Sequence, residues 1–305
     1  MKRFLMHALA AAVLVTGIAA IPACNGARDD AVNLLGKNPN RGFMHKTLVR
    51  GDRNRNYGLF IPNIQSARYP VIIFLHGVGE GGSDATKNLR VGLGPFVADR
   101  QSDFPFICIF PQSESGGWDE NSEAATDVIA ILDDVSKNYP VDPDRVILTG
   151  LSTGGYGTYA IGAKYKDRFA ALVPMGSNAS ASKWAQDLVD MPIHAYCNGG
   201  DMFGGFGGND RGMVERIKSL GGKLQEFTQT NDPGHDCWDR VYSEGDLFAW
   251  LLQQRRHSSR PAAAPMPAAV QPRATASVIA PAPRVIAAPA PGARSNTSAS
   301  INTPY

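Results

Sequence analysis

The chain has 305 residues, enough for one large domain or two small ones, and 43% of them are hydrophobic, an ordinary share for a globular core. Its formal net charge of +2 is unevenly placed: Lys2 and Arg3 open the chain, and Arg260, Arg273, Arg284 and Arg294 lie near its carboxyl end. Without those six, 24 basic residues face 28 acidic ones, a mildly acidic body that argues against a nucleic-acid surface.

Residues 1–24 read as an export signal, with Lys2 and Arg3 ahead of an apolar run that continues to Ala20. Ile21-Pro22-Ala23-Cys24 resembles a lipobox, so two expectations stand side by side. In one, the chain is attached to a membrane by lipid on Cys24; in the other, it is cut near Ala20 or Ala23 and released. Residues 25–43 are polar, Gly/Asn-rich and expected to be irregular. Residues 44–49 and 57–61 predict an antiparallel hairpin, and residues 71–75 a central strand apolar on both faces. A partly helical segment over 89–100, a strand over 106–110 and an amphipathic helix over 123–139 follow. Residues 146–149 predict the next buried strand. Further strands are expected at 169–174, 192–196 and 223–228, and helices at 211–220 and 244–254. Strands alternating with helices imply a mainly parallel sheet. From residue 255 Ala, Pro and Ser take over, a composition that cannot bury enough apolar area to offset its ordering entropy, so residues 255–305 are expected to be a disordered tail.

Gly150-Leu151-Ser152-Thr153-Gly154 fits Gly-x-Ser-x-Gly, with a strand before it and a helix after it. A Ser at the tip of such a turn is a nucleophile elbow. Its partners must come from elsewhere. His76-Gly77-Val78-Gly79-Glu80 follows the central strand, which makes the Val78 and Thr153 N–H groups the candidate oxyanion donors. Of six histidines, His235 follows the last predicted strand in a turn-rich loop, where a general base for Ser152 is required. Asp201, after the strand ending at Tyr196, is the candidate acid, with Asp210 as runner-up. Cys197 and Cys237 lie close in sequence to the acid and the base, so two expectations stand: a Cys197–Cys237 disulfide, as an exported chain allows, or two buried free thiols. Trp118 and Trp238 are the candidates for residues beside the substrate pocket, with a place capping the core as the alternative for each.

Phe74-Leu-His-Gly-Val-Gly-Glu-Gly-Gly-Ser-Asp84, Phe110-Pro-Gln112, Val141-Asp-Pro-Asp-Arg-Val146, Gly150-Leu-Ser-Thr-Gly-Gly-Tyr-Gly157 and Gly234-His-Asp-Cys-Trp238 occur in this order. Together they resemble the α/β-hydrolase group that holds secreted polyhydroxybutyrate depolymerase-like and feruloyl or acetyl-xylan esterase-like enzymes; predicted peptidases and phospholipase/carboxylesterases lie near it. The resemblance spans residues 44–254. It implies an α/β-hydrolase fold with helices on both faces of the sheet, Ser152 as nucleophile, Asp201 as acid and His235 as base. Val78 and Thr153 would be the oxyanion donors. No cofactor or metal is called for. The function it implies is an exported serine hydrolase acting on a small or polymeric carboxylic ester. Two rivals are a serine peptidase of the same fold and an inactive, surface-tethered binding protein. Gly81 stands where relatives often carry Arg, a difference that bears on substrate preference.

Overall fold

A computed structural model describes residues 41–201 and 206–256. The expectations for the export signal, for Cys24 and for the carboxyl tail from residue 257 lie outside the described residues. Eight strands form one sheet: β1 (Gly42–Arg50), β2 (Arg53–Ile61), β3 (Tyr69–Leu75), β4 (Ile107–Pro111), β5 (Val141–Leu151), β6 (Ala171–Met175), β7 (Ile193–Gly200) and β8 (Gln225–Pro233). Their order is β1-β2-β4-β3-β5-β6-β7-β8. β2 runs antiparallel to β1 and β4, and every pair from β4 through β8 is parallel.

Every residue of β3, β4 and β6 is buried, as an apolar run covered on both faces demands. Alternation then divides the core in two. Val71, Ile73 and Leu75 of β3 join one cluster, which lies under helices α2 (Glu123–Asn138), α3 (Thr153–Lys164), α4 (Ala181–Trp184) and α5 (Phe206–Ser219). Ile72 and Phe74 join the other, which lies under α1 (Leu93–Asp99), α6 (Trp238–Glu244) and α7 (Leu247–Gln253). The Ser122 side chain caps α2 by accepting from the Ala125 N–H at 3.1 Å.

Several elements differ from their sequence expectation: β1 starts at Gly42, inside the segment expected to be irregular, β2 starts at Arg53, and the short helix α4 has no counterpart among the expected elements. The single closing helix is broken into α6 and α7, because Gly245 adopts an extended conformation between them. β5 begins at Val141, upstream of the expected start, since the Tyr69 N–H takes the Pro140 carbonyl at 2.8 Å and the β3–β5 register shifts there.

The parallel register decides where function can sit. Leu75 pairs with Gly150, Leu151 with Met175, Met175 with Tyr196, and Gly200 with Pro233. The loops that follow β3, β5, β6, β7 and β8 therefore leave from one edge of the sheet, the edge at which open α/β sheets bind ligands.

Candidate active site

Ser152 caps the amino end of α3 with φ +55° and ψ −118°, a region that non-glycine residues seldom visit. Such a conformation costs on the order of 1–3 kcal/mol and persists only where its surroundings over-determine it. Here the Ser152 N–H donates to the Met175 carbonyl at 2.9 Å, and the Ser152 carbonyl accepts the first helical bond from Tyr156 at 3.1 Å. The turn also needs Gly154: a Cβ there would lie 2.1 Å from the Leu75 carbonyl oxygen. These contacts hold the Ser152 hydroxyl on the rim of the sheet.

Thr153 is the first residue of α3, so its N–H is one of the first-turn amides that the helix itself does not satisfy. Val78 opens a single 3-10 turn, Val78–Glu80, and its apolar side chain is 64% exposed at the mouth of the site. The loop over residues 113–118 joins these two positions. Gly116, at φ +73°, lies so close to Val78 that a Cβ on it would sit 2.8 Å from the Val78 Cα, while its carbonyl accepts from the Thr153 hydroxyl at 2.9 Å. Gln112 steadies the same wall: its amide donates to the Glu80 carbonyl at 2.9 Å and accepts from the Ala85 N–H at 2.5 Å.

His76 lies beneath this wall. Its Nδ1–H donates to the Gly77 carbonyl at 2.7 Å and its Nε2 accepts from the Ser113 N–H at 3.0 Å, which fixes one neutral tautomer. Burial pushes its pKa down, in keeping with that state. Trp118 does not take the pocket place for which it is a candidate. It is 2% exposed, its indole N–H donates to the His76 carbonyl at 2.9 Å, and a Cβ on Gly157 would come within 2.3 Å of it. It is a buried strut under the loop and cannot line a substrate pocket. Outside that loop lies a cleft of about 310 Å³ bordered by Arg53, Asn56, Ser83, Gln112 and Ser115.

On the other side, the His235 Nδ1 lies 2.6 Å from an Asp201 carboxylate oxygen, and the Asp201 side chain is fully buried. A ring that donates through Nδ1 has Nε2 as its basic nitrogen. The ring and the Ser152 backbone share a support. Gly176 follows Met175, the acceptor for the Ser152 N–H, and a Cβ on Gly176 would sit 3.1 Å from the imidazole Cε1. Both groups thus rest on neighbouring residues at the end of β6. Trp238 packs edge-on to the His235 ring with centroids 5.2 Å apart, so of the two expected pocket tryptophans this one is at the site. The flanking carboxylates turn away: Asp232 pairs with Arg240 at 2.7 Å, and Asp236 accepts from the Asp239 N–H at 3.4 Å. His194 is engaged elsewhere, between the Tyr196 and Thr228 hydroxyls at 2.9 Å each.

Asn198 escaped sequence reasoning. It is buried on β7, and its amide donates to the Gly234 and Asp236 carbonyls, at 3.3 and 2.8 Å, on either side of His235. Its Oδ1 accepts from the Thr230 hydroxyl. The available signal was an Asn at the end of an apolar strand, three residues before Asp201. Asp210, the runner-up acid, has its oxygens on Ser177, with the Ser177 hydroxyl at 2.6 Å and its N–H at 2.8 Å.

The expected Cys197–Cys237 disulfide is absent: both are free, buried thiols. Alternation along β7 gives the reason. Cys197 shares parity with Ile193 and Ala195, whose side chains join the cluster under α5, whereas Cys237 belongs with Tyr196 and Val241 to the cluster on the opposite face. Burial raises both thiols, Cys197 to about 11 and Cys237 further still.

The Prolyl oligopeptidase family of peptidases matches residues 114–199, which run from the loop beside Val78 to the end of β7. A poly(3-hydroxyalkanoate) depolymerase C from Paucimonas lemoignei is 27% identical over 128 residues, which cover 38% of this chain and 29% of the depolymerase. A bifunctional acetylxylan esterase/xylanase from Neocallimastix patriciarum is 27% identical over 139 residues, 44% of this chain and 20% of that enzyme. A probable acetylxylan esterase A from Aspergillus clavatus is 28% identical over 148 residues, 44% of this chain and 46% of the esterase. The matches thus span less than half the length of these curated relatives. Among solved structures, a thermostable esterase superposes with a TM-score of 0.63 at 25% identity, over 70% of this chain and 63% of that one. A ferulic acid esterase gives 0.54 at 20% identity, over 68% of this chain and 96% of that one. The chain has the α/β-hydrolase fold.

Proposed function

We propose that the chain is a serine hydrolase that cleaves carboxylic esters through an acyl-enzyme. The observation that carries this reading is the 2.6 Å contact between His235 Nδ1 and Asp201, on a ring that rests against Gly176, next to the residue that holds the Ser152 backbone. In the reaction, the Ser152 hydroxyl attacks the ester carbonyl carbon while His235 Nε2 takes its proton. The carbonyl electron pair moves onto oxygen, and the Val78 and Thr153 N–H groups stabilise that charge. As the intermediate collapses, His235 returns the proton to the leaving alkoxide. Water, deprotonated by the same ring, then attacks the acyl-Ser152 ester and releases the acid.

The names of the relatives support a polymeric or polysaccharide-linked ester as substrate, such as a hydroxyalkanoate polyester or an acetylated xylan. The amino-terminal signal supports export, with lipid attachment at Cys24 as one form of it. A second reading, a serine peptidase, is favoured by the family match over residues 114–199.

A fluorophosphonate probe is expected to label the wild-type chain and not Ser152→Ala. Initial rates on p-nitrophenyl acetate and on aminoacyl p-nitroanilides then separate the two activities. Absence of labelling in folded wild-type protein would sink the hydrolase reading, and a preference for anilides would replace the esterase by the peptidase.

A further inference from the structure

Asp210 is fully buried on α5, outside the reaction just described. Both of its oxygens are engaged by one residue: the Ser177 N–H at 2.8 Å and the Ser177 hydroxyl at 2.6 Å. Ser177 ends a tripeptide in which each residue has a different partner. Met175 accepts the Ser152 N–H, and Gly176 lies against the His235 ring and donates its own N–H to the Tyr196 carbonyl at 2.8 Å. The first turn of α3 closes on the same segment, since a Cβ on Gly155 would lie 2.7 Å from the Met175 oxygen and 3.1 Å from the Ser177 Cβ. The nucleophile backbone and the base ring are therefore registered against three consecutive residues. The last of these has a buried carboxylate as its anchor, and Ser177, like Asp210, has no exposed surface.

We propose that Asp210 is a positioning residue for the reaction: through Ser177 it fixes the Met175-Gly176-Ser177 segment, and so sets the seat of the His235 ring relative to Ser152. The inference rests on the reading of Ser152 as nucleophile and His235 as base. A carboxylate suits this task because it accepts two hydrogen bonds from one residue, which fixes the segment's orientation as well as its distance.

The surroundings give Asp210 a charge-dependent part as well. The Tyr159 hydroxyl from α3 faces it, and Cys197 of β7, Asp201 just after that strand and Cys237 from the loop before α6 are the other titratable groups whose charge reaches it. From β8, the residues of the parity that meets α5 are Gln225, Phe227 and Gln229, none of them titratable, and Arg211 lies over Phe227 and bonds Gln229. On α4, Lys183 is turned to Glu120 and Tyr156. Burial, with a smaller contribution from Asp201, pushes the Asp210 carboxyl up to about 7. The sign follows. Below pH 7 Asp210 is mainly neutral; above it, a second negative charge lies near the Asp201–His235 pair and stabilises the imidazolium that forms in the transition state.

The test is kinetic, on p-nitrophenyl acetate with the full chain. Asp210→Ala and Ser177→Ala are expected to lower kcat by about tenfold to a hundredfold, with KM changed less than about threefold, as misplaced catalytic groups require. Asp210→Asn, which can make the hydrogen bonds of the protonated carboxyl, is expected to restore kcat at pH 6 to within about threefold of wild type. The wild-type to Asp210→Asn ratio of kcat/KM then rises several-fold between pH 6 and pH 8.5. If Asp210→Ala does not fold, Ser177→Ala and Asp210→Asn carry the test alone. A folded Asp210→Ala or Ser177→Ala with wild-type kcat, or a ratio flat with pH, overturns the proposal. Wild-type protein that neither hydrolyses the ester nor takes the fluorophosphonate overturns instead the reading on which it rests.

Discussion

The two sides of Ser152 are held by different means. On the proposed oxyanion side, residues 76–80 and 113–118 approach backbone to backbone where Gly116 lies on Val78, and the two side chains between them bond only main chain: the His76 ring takes the Ser113 N–H, and the Trp118 indole donates to the His76 carbonyl. On the acid–base side the loops are held by buried polar side chains, with Asp201 on His235, Asn198 on the carbonyls flanking that ring, and Asp210 on Ser177. A wall made of close main-chain contacts fails when atoms are added to it. A buried polar network fails when a partner is taken away, because the group left behind is neither paired nor hydrated. Substitutions of opposite kinds should therefore damage the two sides.

The largest effect is expected where a single buried partner sets the chemistry of the ring. Asp201→Asn keeps the shape of the side chain but offers an amide N–H to an imidazole nitrogen that should be donating. The favoured tautomer is then the wrong one, and kcat/KM on p-nitrophenyl acetate should fall by about 10⁴-fold with the fold intact by circular dichroism. A loss under about tenfold would mean that the contact to Asp201 does not select the tautomer.

Adding one methyl to the other wall should cost less. Gly116→Ala requires a side chain at φ +73° and places Cβ 2.8 Å from the Val78 Cα. The Val78 turn must move, and with it the N–H proposed as an oxyanion donor. The expected loss is about a hundredfold in kcat with KM nearly unchanged, the pattern of an interaction made mainly in the transition state. Steady-state rates at saturating ester check this; an equal rise in KM with kcat preserved would place Val78 in substrate binding instead.

The same contrast explains what was legible in the sequence. The elbow was legible because its geometry needs glycine at fixed offsets from Ser152, and the parallel sheet because β3, β4 and β6 are apolar throughout. Asp201 and His235 could be singled out because both follow strands that end at one edge. What could not be read depends on which loop lies over which. Trp118 resembles a pocket residue until the 113–118 loop is seen folded down upon His76. Cys197 and Cys237 flank the acid and the base in sequence, but the parity of Cys197 along β7 points it to the face under α5, whereas Cys237 joins the core on the other face. Asn198 and Ser177 carry no motif, since their partners are main-chain atoms or a carboxylate brought close only by tertiary structure.

Asn198 gives the smallest of these effects and the most direct test of the acid–base side. Its amide holds both neighbours of His235, yet the ring keeps its own contact to Asp201 and its seat on Gly176 when that amide is lost. Asn198→Ala should therefore weaken the loop more than the chemistry. The Gly234 and Asp236 carbonyls lose a buried donor, a cost of about 1–3 kcal/mol that should appear as a lower Tm. The rate should fall by only about tenfold, in kcat rather than KM, because the ring is displaced in a fraction of the molecules and not misprotonated in all of them. Asn198→Asp separates the two contributions: it keeps the size but replaces the donor by an acceptor facing two carbonyls, so it should be less stable than Asn198→Ala. If Asn198→Asp instead matches wild type in Tm and kcat, the His235 loop is held by the ring's own contacts alone, and the side-chain network is not what distinguishes this side of the site.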